Sequence, residues 1–287
     1  MTQQTTPLRQ RMIDDMKVRN MAPLTQKGYV RAVKNFAAFH RRSPDQLSFD
    51  DVRTYQLHLI SRGLQPQTLN QIICALRFFY AVTLGKPEAK TALPLARRAD
   101  KLPAVLSPSE VARFLAAVPD VRNRAAFATI YAAGLRVSEV VALTVTDIDS
   151  SRMVIHVRQG KGSKDRFVML SEQLLAILRA YWRSERPKTW LFPGPNSEQP
   201  ITTRSLQRAC RAAAEVAGLD KTVTVHTLRH CFATHLLEQG VDIRVIQDLL
   251  GHRHITATSR YARVAINTIR QIQSPLEHLK FGASPPA

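Results

Sequence analysis

The sequence predicts a mostly α-helical protein with one small β-sheet, an α+β chain in two parts. Three observations carry this. Apolar residues recur at helical spacing through nearly the whole chain. Only one region, around 153–170, reads as extended chain. The helical period breaks decisively once, at GKPEAKTALPLARRADKLPAVL (85–106), where three prolines and five Lys/Arg interrupt it. At ~100–200 residues per domain, 287 residues suit two domains. The expected boundaries are an all-α N-terminal domain over 1–95, a basic linker over 96–106 and a helical domain carrying the sheet over 107–287.

Within the first part, Thr25 opens a stretch that puts Tyr29, Val33, Phe36 and Ala37 on one face. Ser48 and Asp51 form a capping-box pattern ahead of Val52, Tyr55 and Leu59, and Gly63 ends that helix. Pro66 starts another, with Ile72, Ile73, Leu76, Phe79 and Tyr80 at helical spacing; these aromatics read as core. The second part opens at Ser107-Pro108-Ser109-Glu110, with serine at the N-cap, proline at N1 and glutamate at N3. Helix is expected through Val118, then from Arg122 to Ala133 with Gly134 as its end, then again from about Val137. MVIHVRQ (153–159) and FVML (167–170) read as a β-hairpin around the basic loop GKGSKDR. Helices return near 171–183, 203–217, 225–239 and 242–250.

Charge narrows the function. Lys and Arg total 41 against 22 Asp and Glu, a formal net charge of +19, and the isoelectric point is about 10.6. Such a balance fits a protein that holds a polyanion, nucleic acid above all, with a merely soluble basic surface or an anionic membrane as the blander readings. The charge is not a tail. Residues 1–95 carry 14 basic and 6 acidic residues, and the remainder carries 27 and 16. Two basic domains suit a grip on one duplex. Cys74, Cys210 and Cys231 are sparse, odd in number and without metal spacing, which points to a reducing cytoplasm. No signal-like start and no run of ~18 apolar residues appears, so neither export nor a membrane partner is expected.

The chemistry-bearing residues are ambiguous one by one. In His226-Thr227-Leu228-Arg229 the histidine and arginine share a helical face, as many solvated pairs do. His230 and His235 raise a metal reading, but the HExxH pattern of zinc proteases is missing. Tyr261 alone reads as packing. Arg136, in an apolar neighbourhood just after a helix-ending glycine, needs an anionic partner, either Glu139 or a phosphate.

Together, AAGLRVSEVVAL (132–143), GKGSKDRFVML (160–170), HTLRHCFATHLLEQGVDIRVIQDLLGH (226–252) and Tyr261 resemble the tyrosine recombinase/phage integrase family, Xer-type recombinases and integrases of mobile elements in particular. The resemblance implies a catalytic set of Arg136, Lys161, His226, Arg229, His252 and the nucleophile Tyr261, with Glu139 supporting Arg136. It implies DNA cleavage and rejoining through a 3′-phosphotyrosine, without metal, cofactor or ATP. GKGSK lacks the phosphate-loop frame, in keeping with that. The implied partners are a double-stranded DNA recombination site and a homo-tetramer on two sites, or an assembly with a second related recombinase. The N-terminal domain resembles the family's SAM-like core-binding domain only loosely. An arm-site domain is not expected, since residues 1–24 are short. The chain reads Tyr-Ala-Arg-Val after the nucleophile where Xer proteins usually read Tyr-Thr-His-Val, which loosens any tie to chromosome-dimer resolution. Two other readings remain on the same scaffold: a type IB topoisomerase-like relaxing enzyme and a non-catalytic DNA-binding protein.

Overall fold

The computed structural model describes residues 6–97, 103–158, 165–251, 256–259 and 261. The chain divides into two compact units, Met1–Asp100 and Lys101–Ala287, each with its own core.

The N-terminal unit is all helix: α1 (Pro7–Val18), α2 (Pro23–His40), α3 (Phe49–Ser61), α4 (Pro66–Phe78) and the one-turn α5 (Ala89–Ala92). Prolines at the first turns of α1, α2 and α4 sit where a missing N–H costs nothing. The Ser48–Asp51 capping box forms as its residues dictate. Helix α1 was not expected. It buries Met12 and Met16, one turn apart, against the same core as Phe36, Val52, Leu76 and Phe79. After α4 the chain continues as one wider π-helical turn, Phe79–Thr83, which buries Phe79 and Tyr80 together. The Tyr80 hydroxyl donates to the Leu47 carbonyl at 2.9 Å.

The stretch after Gly85 stays with the N-terminal core although its prolines break the helical period. Ala89 and Leu93 are fully buried in the N-terminal core. Asn70, itself buried, clamps the chain at Ala96, donating to its carbonyl at 2.9 Å and accepting from its N–H at 2.8 Å. Arg77 Nε donates to the Leu93 carbonyl at 2.6 Å. Prolines break a helical period without freeing the chain from a core. At the other end of the stretch, Leu106 belongs to the C-terminal core, and its N–H donates to Cys231 Sγ at 3.2 Å.

The C-terminal unit runs α6 (Pro108–Ala116), α7 (Val121–Ala133), α8 (Val137–Val141), β1 (Ile148–Asp149), β2 (Val154–Val157), β3 (Arg166–Met169), α9 (Glu172–Glu185), α10 (Thr203–Val216), α11 (Val225–Glu238), α12 (Ile243–Leu250) and α13 (Thr256–Ser259). The Ser107–Glu110 capping box opens α6. Helix α7 is the hub. Seven of its thirteen residues are buried, and it packs against α9 and α11, which explains why AAFATIYAA shows no polar face. The expected hairpin forms, and β1 adds a third antiparallel strand in the order β1-β2-β3. Ile155, Val157 and Val168 face the core, while Phe167 and Met169 face out. Val157 pairs with Arg166 across the ladder, so Arg166 shares the inward face. No helix of the described residues is long and apolar enough to cross a membrane.

Candidate active site

Helix ends and one carboxylate organise the site. Gly134 closes α7 in the left-handed region (φ 62°), and the chain turns at once into α8, with Arg136 at its N-cap and Glu139 one turn on. Glu139 is 7% exposed. Its carboxylate accepts from the Arg136 backbone N–H at 2.8 Å and from Arg136 Nη1 at 2.7 Å. Arg166 reaches in from β3 and binds both carboxylate oxygens, at 3.0 and 2.9 Å, in a two-toothed fork. Arg229 Nη1 from α11 lies 3.7 Å from the same group. Burial alone would raise the Glu139 pKa; hydrogen bonds from Arg166 and from the Arg136 backbone, with the charges of both arginines, outweigh it and hold the group at about 2.

The same arginines cap α12. Its last carbonyls have no partner within the helix and carry the negative end of its dipole. Arg166 Nε takes the Leu249 carbonyl at 2.9 Å, Arg229 Nη2 takes Leu250 at 2.6 Å, and Arg136 Nη2 takes Gly251 at 3.3 Å. Arg229, with no exposed surface, also donates to the Gly134 carbonyl at 2.6 Å. Burial, then the charge of Arg136, pushes its guanidinium down to about 9, with Glu139 and Tyr261 opposing; it stays a cation at neutral pH. Three guanidiniums are thus concentrated around one carboxylate and a row of carbonyls.

Tyr261 completes the cluster. It is 1% exposed and packs with Phe232, Ala233, Ile246 and Leu250. Its hydroxyl lies 3.1 Å from Nδ1 of His230. One turn earlier on α11, His226 is exposed, and its ring meets that of His230 edge-on at 4.4 Å. His235, the other histidine weighed for metal, is structural: its ring bridges the Tyr131 hydroxyl and the Leu106 carbonyl, both at 2.9 Å. Lys161 and His252 lie outside the described residues.

Gly134 is where geometry tolerates no side chain. A Cβ there would overlap the Phe232 ring and sit 3.2 Å from Leu250, on a backbone conformation that L side chains rarely adopt. Gly134→Ala is therefore expected to destabilise the C-terminal unit by about 1–3 kcal/mol. It should also weaken DNA cleavage, because the displaced carbonyl is the one that holds Arg229. Thermal melting and a cleavage assay check both, and a variant as stable and active as the parent would remove Gly134 from the site's framework.

Comparison with known proteins places this arrangement. Residues 104–267 match the phage integrase family model, and residues 8–89 match the phage integrase N-terminal SAM-like domain. The chain belongs to the phage integrase family. It is a tyrosine site-specific recombinase. This recombinase is 50% identical over 283 residues to the integrase/recombinase y4qK of Sinorhizobium fredii, covering 98% of the chain and 92% of that relative. It is 35% identical to the tyrosine recombinase XerD of Caulobacter vibrioides, over 89% of the chain and 92% of the relative. The crystal structure of XerA recombinase superposes with a TM-score of 0.55 at 28% identity, covering 94% of this chain and all of that one. That of XerH bound to its palindromic difH substrate gives 0.72 at 20% identity, over 90% and 81%.

For this recombinase the structure brings Arg136, Glu139, Arg229 and Tyr261 together as neighbours, with His226 beside them. It adds two residues the sequence reading passed over. Arg166 closes the basic loop sequence GKGSKDR, and its alternation with Val168 on β3 marks the inward face. His230 was weighed only as a metal ligand.

Proposed function

We propose that this recombinase cleaves and rejoins duplex DNA at specific sites through a covalent 3′-phosphotyrosine on Tyr261. The observation that carries the reading is the meeting of Arg136 and Arg229, 93 residues apart in sequence, at one buried carboxylate, with Arg229 close enough to Tyr261 for their charges to interact. A phosphodiester under attack gathers negative charge on its non-bridging oxygens. Guanidiniums positioned in advance stabilise that charge without metal ions. Of the five N–H donors of Arg136, the bonds named above use two, and its side chain is 21% exposed. Arg229 and Tyr261 are buried, so cleavage begins with an opening that admits the phosphate.

In this mechanism the Tyr261 oxygen attacks phosphorus, the bond to the 5′-oxygen breaks, and the free 5′-hydroxyl departs. The phenol proton must be taken up during attack, with His226 as acceptor or relay. His252 adds a hydrogen bond to the phosphate, and Lys161 protonates the leaving oxygen. The phosphotyrosine conserves the energy of the broken bond, so a second 5′-hydroxyl can reverse the attack. DNA binding has support from the net charge of +19 and from the fold shared with XerH, described bound to difH, and with a lambda integrase dimer described bound to a core site. Exchange would take place in a tetramer holding two sites. Val264, Ile266, Ile269, Leu276, Leu279 and Phe281, after the nucleophile, would supply the contact between subunits; they lie outside the described residues.

A nicked suicide substrate tests the chemistry. The expected product is a covalent adduct, stable on a denaturing gel, whose DNA is joined through its 3′-phosphate to the peptide containing Tyr261. Cleavage without an adduct, or one mapped to another residue, would overturn the reading. Lys161→Ala should slow cleavage of ordinary DNA by about 10²-fold or more, and be restored on a 5′-bridging phosphorothiolate, whose thiolate leaves without a proton. Equal defects on both substrates would remove Lys161 from that role.

A further inference from the structure

We infer that His230 is a further catalytic residue of this recombinase, the group that directly takes the Tyr261 proton during cleavage and returns it during religation. The inference rests on the phosphotyrosine reading above. Its geometry is plain: His230 Nδ1 lies 3.1 Å from the Tyr261 hydroxyl, within the reach required of a general base, with no substrate present. The contact joins α11 to the turn that follows α13, where the Tyr261 N–H donates to the Thr258 carbonyl at 2.9 Å.

The neighbourhood suits the transfer. Nδ1 of a neutral imidazole protonated on Nε2 accepts the phenol O–H. Arg229, the residue immediately before His230, carries a charge that acts on Tyr261 and favours the phenolate as it forms. His226 stands edge-on to the half-buried His230 and is exposed, which places it between the His230–Tyr261 pair and the outside. The two histidines then divide the work: His230 touches the nucleophile, and His226 serves the relay role that the i, i+4 spacing gives it.

The step balances. As the Tyr261 oxygen bonds to phosphorus and the 5′-oxygen leaves, the phenol proton passes to Nδ1 and His230 becomes an imidazolium. The leaving oxygen takes a different proton. In religation the 5′-hydroxyl gives its proton back to Lys161 as it bonds to phosphorus, and the displaced tyrosyl oxygen recovers its proton from His230. Because the two protons are separate, a His230 variant and a Lys161 variant respond to different chemical rescues.

The experiment uses the full chain on a nicked suicide substrate. His230→Asn keeps a hydrogen-bond acceptor near the Nδ1 position but cannot carry a proton. It is expected to bind a single site as the parent does and to lose about 10²-fold or more in cleavage rate. The 5′-bridging phosphorothiolate should not restore it. Replacing Tyr261 with a fluorinated tyrosine, whose phenol ionises more readily, should recover at least tenfold in the His230→Asn background and nothing in an Arg136→Lys background. His230→Gln provides the same comparison if the asparagine variant fails to bind DNA. Cleavage within threefold of the parent in either variant overturns the inference, as does a defect that fluorotyrosine leaves unchanged. If the parent itself forms no adduct at Tyr261, the recombination chemistry fails first. A normal parental adduct with an indifferent His230 removes only this inference.

Discussion

Tyr261→Phe is expected to abolish covalent adduct formation while leaving the fold and single-site DNA binding close to the parent's. The two effects separate because the ring and the hydroxyl do different things. The ring is buried among Phe232, Ala233, Ile246 and Leu250, and phenylalanine fills that space equally well. The hydroxyl makes the contact to His230, and losing one such bond costs about 0.5–1.5 kcal/mol net. Removing a nucleophile costs on the order of 10⁶ in rate where such losses have been measured. The suicide-substrate gel should therefore show no adduct, beside a melting curve displaced by only a few degrees. An unchanged adduct yield would sink the assignment of the nucleophile. A collapsed fold with lost binding would instead show that the hydroxyl is chiefly structural.

Such a separation was only half legible in the sequence. Capping chemistry fixed the clearest boundaries: Ser48 with Asp51, Ser107 with Glu110, and Gly134 after α7 all act as their local rules require. Helix α1 was missed although Pro7 stands at its first turn and Met12 and Met16 are one turn apart. Its remaining residues are mostly polar and show little period until the core they join is known. How 85–97 packs was not legible, because proline reports on local dihedrals, whereas Ala89, Leu93 and the Asn70 clamp act through distant partners. At the site, residue types at family positions gave Arg136, Glu139, Arg229 and Tyr261 as a set. What no motif could give was the anchoring. The carbonyls of Leu249, Leu250 and Gly251 have no side-chain signature, yet they hold three arginines. Arg166 and His230 stood in view, one hidden in a basic loop and the other beside a better-known arginine.

The largest expected effect on stability comes from Glu139→Gln. The substitution keeps the shape and removes the charge. Glu139 now accepts from Arg166 at both oxygens and from Arg136 through backbone and side chain, with Arg229 at 3.7 Å. A glutamine would turn an amide N–H₂ toward guanidinium N–H groups and leave three clustered cations without their counter-charge. Breaking a buried pair by removing one partner costs about 3–5 kcal/mol. Cleavage should also fall by about 10²–10³-fold, since Arg136 is aimed by this carboxylate and a misaimed donor forfeits that much at a preorganised site. The pH dependence gives a separate check. In the folded protein Glu139 is held at about 2, below its ordinary 4.5. A carboxyl depressed by folding contributes stability that is fully present above its unfolded value and is lost as the pH falls through its folded value. The gap in melting temperature between parent and Glu139→Gln should accordingly be widest above about pH 5 and narrow steadily between pH 4.5 and pH 2. A gap that is constant across that window would assign the defect to packing rather than charge. A glutamine variant that melts and cleaves like the parent would show that Arg136, Arg166 and Arg229 are held by the helix-end carbonyls alone.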